Sequence, residues 1–227
     1  MKVIIQILRR DGRDREPYRQ SFEINPPLAA TVSWALGELN ARLPLADIDG
    51  KAARHIAWNC GCRQKTCGVC AMVINGRPML ACSAFIEDLT VGKNTVSLEP
   101  LSKFPVVRDL VVDTTMLEEK MLEAGAFLSG ASGIERARDG RLMEISQCML
   151  CGCCFEVCPN CLPNGPFIGA AAMHGALRAA LQEPAAGHRK RILRNARGKG
   201  GRLCSRALSC QAVCPAGIPV TGTLASL

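Results

Sequence analysis

Aromatic residues are scarce in this chain of 227 residues: they make up 4%, with one Tyr and two Trp. A stacking platform for single-stranded nucleic acid needs more of them. No run of about 18 apolar residues is present to span a membrane. The longest uncharged stretch, Pro159 to Leu177, is broken by Pro163, Gly165, Pro166 and two Asn. The opening MKVIIQILRRDGRDR has too short an apolar run for a secretory leader, and charges follow it at once. Disorder is excluded as well, because 48% hydrophobic and 21% charged residues is an ordinary globular balance. The three histidines, His55, His174 and His188, are read as structural or exposed groups.

Cysteine is abundant instead, at 14 residues. A disulfide scaffold explains this poorly, because the chain is long and its cysteines fall in three tight groups. The reading is a reducing cytoplasmic setting with cysteines kept as thiolates for metal. The formal charge of +8 omits those thiolates. With three iron–sulfur clusters of about −2 each, the loaded protein carries about +2. A nucleic-acid partner is therefore not expected.

The first group is Cys62, Cys67, Cys70 and Cys82, with four, two and eleven residues between successive members. This is the plant-type spacing for a [2Fe–2S] cluster. Gly61 and Gly68 let the backbone approach sulfur closely. A zinc ribbon prefers two paired Cys-x-x-Cys knuckles, and only one is present. The second group, Cys148, Cys151, Cys154 and Cys158-Pro159, is the bacterial ferredoxin run. The fourth cysteine of that run ligates the other cluster in two-cluster ferredoxins, so a second set is expected. That set is Cys204, Cys210 and Cys214-Pro215, with Ala207 in the place of its second cysteine. The crossed assignment follows. Cys148, Cys151, Cys154 and Cys214 hold a [4Fe–4S] cluster. Cys158, Cys204 and Cys210 hold a [3Fe–4S] cluster, because alanine cannot bind iron. Cys60, Cys153 and Cys161 remain. Each is read as a rival ligand in a shifted register, or as a small buried residue or free thiol. Cys161, close after Cys158, has a role near the terminal acceptor as a further alternative.

The fold class expected is α+β. Residues 1–105 read as the [2Fe–2S] domain and residues 106–227 as a helical domain with the other two clusters. Strands are expected at Lys2–Leu8, Tyr18–Ile24 and Thr95–Leu98. Thr31 can cap a helix with Val32, Leu36, Leu39 and Leu43 on one face. Asn75-Gly76 reads as a type I′ turn within a hairpin over Ala71–Ala81. A linker covers Glu99–Asp113. Asp113 can cap a helix that Gly125 ends, and Phe167–Gln182 is an Ala-rich helix. Arg189–Arg202 holds seven Lys or Arg and no acid. It reads as a solvated basic loop, with anionic lipid or an acidic partner as the alternative.

Three clusters in this order resemble the iron–sulfur subunit of succinate dehydrogenase and fumarate reductase. Two further segments are similar to that family: Cys67-Gly-Val-Cys-Ala-Met-Val-Ile-Asn-Gly76 and Pro100-Leu-Ser-Lys-Phe-Pro-Val-Val-Arg-Asp-Leu-Val-Val-Asp113. The resemblance implies an N-terminal β-grasp ferredoxin domain and a C-terminal all-α, bacterial-ferredoxin-like domain. It implies a partner flavoprotein whose FAD interconverts fumarate and succinate, a membrane-anchor or other redox subunit, and a quinone. Attachment to the cytoplasmic face of the inner membrane would run through those partners. The segment after Cys158 looks more like the fumarate reductase branch, since Cys161 to Pro163 stand where the ubiquinone branch has a Trp pair. Ser205 stands where that branch often has His. Menaquinone is the quinone this implies. A related flavoprotein complex with a non-quinone donor, or with another activated alkene as substrate, is the alternative.

Overall fold

Alternation of branched apolar residues starts the chain as a strand. A computed structural model describes residues 2–130 and 140–227. They fall into two units, Met1–Asp113 and Thr114–Leu227.

In the first unit, β1 (Val3–Arg9) pairs antiparallel with β2 (Tyr18–Ile24), setting Ile5 opposite Phe22. The inward side chains of β1 are Val3, Ile5, Ile7 and, at the end of the same row, Arg9. Helix α1 (Val32–Ala41) follows, with the Thr31 hydroxyl accepting the Trp34 N–H at 3.2 Å. It buries Val32, Leu36 and Leu39 but not Leu43, which is 81% exposed. The expected face is one turn too long: Arg42 is already extended, and Pro44 disfavours a helical Leu43.

Strands β3 (Ala71–Ile74) and β4 (Arg77–Leu80) form the expected hairpin. Asn75 and Gly76 have φ of 49° and 77°, the positive pair that a type I′ turn requires. The short helix α2 (Ile86–Leu89) and strand β5 (Thr95–Glu99) complete a sheet of order β2-β1-β5-β3-β4. Only β1 and β5 run parallel; the crossover between them includes α1, giving a β-grasp. The stretch expected as a linker contains a second small sheet, β6 (Val106–Arg108) with β7 (Val111–Val112). Asp109 turns the chain between them with φ of 47°.

The second unit is helical. Its elements are α3 (Thr115–Ala124), α4 (Gly140–Ser146), α5 (Cys153–Val157), α6 (Gly169–Gln182), α7 (Ala186–Ala196), α8 (Ser209–Ala212) and α9 (Val220–Ser226). Thr114, not Asp113, sits at the N-cap of α3. Asp113 is instead paired with Arg13 at 2.9 Å. Gly125 closes α3 in a left-handed C-cap, as expected. Helix α6 is the centre of the unit: eleven of its 14 residues are buried, and it packs against α3, α4, α5, α7 and α9. The basic segment is not a loop. It forms α7 and a π-helical turn, Arg197–Gly201, burying Ile192 and Ala196 while its cations stay largely outside. Its cations are spaced so that an apolar stripe survives, a period the charge count conceals. No helix among the described residues is long and apolar enough to cross a membrane.

Candidate metal centres

The loop before β3 curls around one sulfur. Arg63, Lys65 and Gly68 all have positive φ, at 55°, 60° and 76°. The curl turns the N–H groups of Gln64, Thr66 and Cys67 onto Cys62 Sγ at 3.3, 3.4 and 3.3 Å. The Cys62 N–H points at Cys67 Sγ at 3.4 Å. The Thr66 hydroxyl, followed by these backbone donors, holds the Cys62 thiol down to about 6. The approach at Gly61 is close enough that a Cβ there would stand 3.1 Å from Cys67 Sγ.

The hairpin brings the fourth cysteine back. Ala71 pairs with Leu80, and the Ala81 N–H donates to the Cys70 carbonyl at 3.1 Å. Cys82 thereby comes beside Cys70, and Cys67 acts on Cys70 as well. Burial pushes the Cys70 thiol up to about 12, with Cys82 and Cys67 adding to the rise. Cys60 turns elsewhere: its sulfur accepts from Arg63 Nε at 3.2 Å and lies 4.0 Å from the Ser33 hydroxyl.

In the second unit, left-handed turns at Leu150 and Gly152 swing the chain from Cys148 through Cys151 into α5. Burial raises the Cys148 pKa, and Cys151 and Cys214 nearby add to the rise. Cys154 lies among Cys151, Cys148 and Cys210, and burial raises it well above an ordinary thiol. The Ala171 N–H, in the first turn of α6, donates toward the Cys154 sulfur. Cys210 is raised by burial and by Cys158, with Cys204 also acting on it. The Arg206 N–H reaches Cys204 Sγ at 3.4 Å. Cysteines distant in sequence therefore become neighbours across the runs: Cys214 with Cys148, and Cys210 with both Cys158 and Cys154. Ala207 sits exposed between Arg206 and Leu208, which have φ of 58° and 55°.

The remaining cysteines have local partners. The buried Cys153 thiol hydrogen-bonds Cys151 and is the main reason that Cys151 falls to about 7. Cys161 is fully buried, its sulfur within 3.3 Å of where a Gly169 side chain would start. Sequence reasoning did not single out His174 for a role at a cluster. It lines a cavity with Cys148, Cys151, Cys154, Cys210 and Cys214. Burial lowers it to about 4, so the ring is neutral at pH 7.

Among the described residues, no three of His, Cys, Asp or Glu gather as a site for a single metal ion. The thiol sets fit iron–sulfur clusters on other grounds. Buried thiols that raise one another's pKa can all lose their protons only around a shared cation. Backbone donors already point at Cys62, Cys67, Cys154 and Cys204, as ligated sulfur prefers.

Comparison with known proteins agrees with both units. Residues 4–119 match the 2Fe-2S iron-sulfur cluster binding domain, and residues 144–218 match the 4Fe-4S dicluster domain. The chain is 32% identical to the succinate dehydrogenase iron-sulfur subunit of Bacillus subtilis, over 97% of this chain and 89% of that protein. It is 31% identical to the fumarate reductase iron-sulfur subunit of Escherichia coli, over 89% and 81%. In fold it is similar to a chain of the Mycobacterium smegmatis Sdh1 complex in the apo form. That match has a TM-score of 0.74 and 22% identity, and covers 99% of this chain and 93% of that one.

Proposed function

Because the chain belongs to the iron–sulfur subunits of succinate dehydrogenase and fumarate reductase, the electron-transfer parts of those oxidoreductases, we propose its ligand sets, its partners and its acceptor. Cys62, Cys67, Cys70 and Cys82 hold [2Fe–2S]. Cys148, Cys151, Cys154 and Cys214 hold [4Fe–4S]. Cys158, Cys204 and Cys210 hold [3Fe–4S]. The observation that supports the crossed sets is the neighbourhood of Cys214 with Cys148 and of Cys158 with Cys210. When bound, these clusters supply one-electron oxidation and reduction. The chain's own residues hold them in place: N–H groups of the Cys62 loop and of the first turn of α6 face the sulfurs, and burial around Cys154 and Cys70 keeps water away.

The chain connects a flavoprotein, whose FAD serves the fumarate and succinate site, to a quinone. Attachment to the cytoplasmic face of the membrane runs through an anchor or other redox subunit. Relatives of both branches match at nearly equal identity. The preference for fumarate reduction with menaquinol rests on Cys161 to Pro163 in place of a Trp pair. Ser205, where the ubiquinone branch often has His, points the same way; a non-quinone donor is the second reading. The complex purified anaerobically with its native partners is expected to reduce fumarate with menaquinol and with a low-potential dye. Activity with the dye alone would favour the second reading, and activity with neither, in a fully loaded complex, would exclude fumarate as the substrate.

The three-iron set makes a separate prediction. The oxidised complex is expected to show a three-iron EPR signal, and Ala207→Cys to diminish it as a fourth ligand becomes available. An oxidised complex with full iron content and no such signal would overturn the set.

A further inference from the structure

His174 has no role in the ligand sets, yet its environment is unusual. It lies on α6, 4% exposed, and its Nε2 has no hydrogen-bond partner. A buried polar group left without a partner is rare because its lost hydration goes unreplaced. His174 lines the cavity that holds Cys148, Cys151, Cys154 and Cys214, with Cys210 also at its wall. Ala170 and Ala171 line it too, and the spacing to His174 puts all three on one helix face. Cysteines aside, the other side chains around that cavity are apolar. Ligated thiolates and cluster sulfides accept hydrogen bonds and cannot donate them. An imidazole satisfies such acceptor-only surroundings by donating, with a proton on Nε2.

We propose that His174 donates an Nε2–H hydrogen bond to a sulfur of the [4Fe–4S] cluster and thereby raises that cluster's potential. This inference rests on the reading of Cys148, Cys151, Cys154 and Cys214 as cluster ligands. Reduction adds negative charge that spreads onto the sulfurs, so the bond is stronger in the reduced state and favours it. The ring has a second effect on the same cluster: it occupies space that water would otherwise take, which keeps the surroundings apolar.

The test is a redox titration of the purified complex followed by EPR. His174→Leu is expected to disfavour reduction of the [4Fe–4S] cluster about tenfold, a fall of about 59 mV for one electron. His174→Gln, which keeps an N–H donor, is expected to recover most of that fall. The [2Fe–2S] potential, set by the other unit, is expected to stay put in both variants. An unchanged [4Fe–4S] potential in a Leu variant with full iron and sulfide would overturn the inference. Should that variant fail to load, the unaltered chain decides. With ring-15N histidine, pulsed EPR on the reduced [4Fe–4S] cluster is expected to show a nitrogen coupling, and its absence would equally refute the bond. His188 is occupied by the Phe127 carbonyl at 3.0 Å, and His55 belongs to the first unit. Loss of the cluster reading itself would look different: the unaltered complex would show no [4Fe–4S] signal at all.

Discussion

Cys214→Ala is expected to abolish the [4Fe–4S] EPR signal and to spare the three-iron signal, although Cys214 closes the third cysteine group. The reciprocal variant, Cys158→Ala, is expected to remove the three-iron signal and spare [4Fe–4S], although Cys158 closes the second. The reason is spatial. Cys214 stands among the neighbours of Cys148, while Cys158 and Cys204 act together on Cys210. On the proposed crossed sets, each cluster draws a ligand from the far run, and its binding ties the two ends of the helical unit together. Metal binding of this kind contributes directly to folding, so each variant is expected to loosen α8 as well. Losses in the opposite pattern, each variant costing the cluster of its own run, would establish uncrossed sets. EPR of oxidised and reduced complex, with iron and sulfide analysis, distinguishes the two patterns.

Asp109→Ala is expected to have the largest effect on stability. Arg9 and Asp109 are 1% and 0% exposed and meet at 2.8 Å, 100 positions apart in the chain. Asp109 also accepts the N–H groups of Arg10 at 3.2 Å and Ala57 at 2.8 Å. Arg9 in turn donates to the carbonyls of Arg54 and His55 at 3.1 and 3.2 Å. The pair thus ties β1 and the β6–β7 turn to the segment that leads into the Cys62 loop. Removing the carboxylate leaves a buried guanidinium without its counter-charge and two backbone donors without their acceptor, a loss of about 3–5 kcal/mol. Alanine is also strained at the positive φ of Asp109. For a unit of this size, that loss lowers the melting temperature by well over ~10 °C. Asp109→Asn keeps the shape and the left-handed tolerance, and is expected to lose less. Thermal loss of the [2Fe–2S] signal in the purified complex measures both. An Ala variant as stable as the parent would show that water or rearrangement replaces the network.

Much of this architecture was legible in local spacing. The Asn75-Gly76 turn, the β2 bounds and the left-handed cap at Gly125 each depend on the chemistry of two or three neighbouring residues, so short segments announce them. The cysteine runs behave likewise, because a loop wrapped around a cluster constrains the distance between ligands along the chain. Charge counting misled at Arg189–Arg202. Seven cations with no acid among them look like a solvated loop until the apolar stripe beneath them, Ile192 and Ala196, finds α6. Asp113 misled by one position: the helix begins a residue later, behind Thr114, and the Asp113 carboxylate meets Arg13.

Periodicity along the first strand is enough to make β1 a strand with one face inward, and spacing is enough to make eleven cysteines ligand candidates. Neither says what becomes of Arg9 on that inward face, nor that His174, one polar residue in an Ala-rich helix, ends among the sulfurs. Those outcomes depend on partners far away in the chain. Their energies arise only when folding removes water from the groups, which leaves Arg9 needing Asp109 and the His174 ring needing an acceptor.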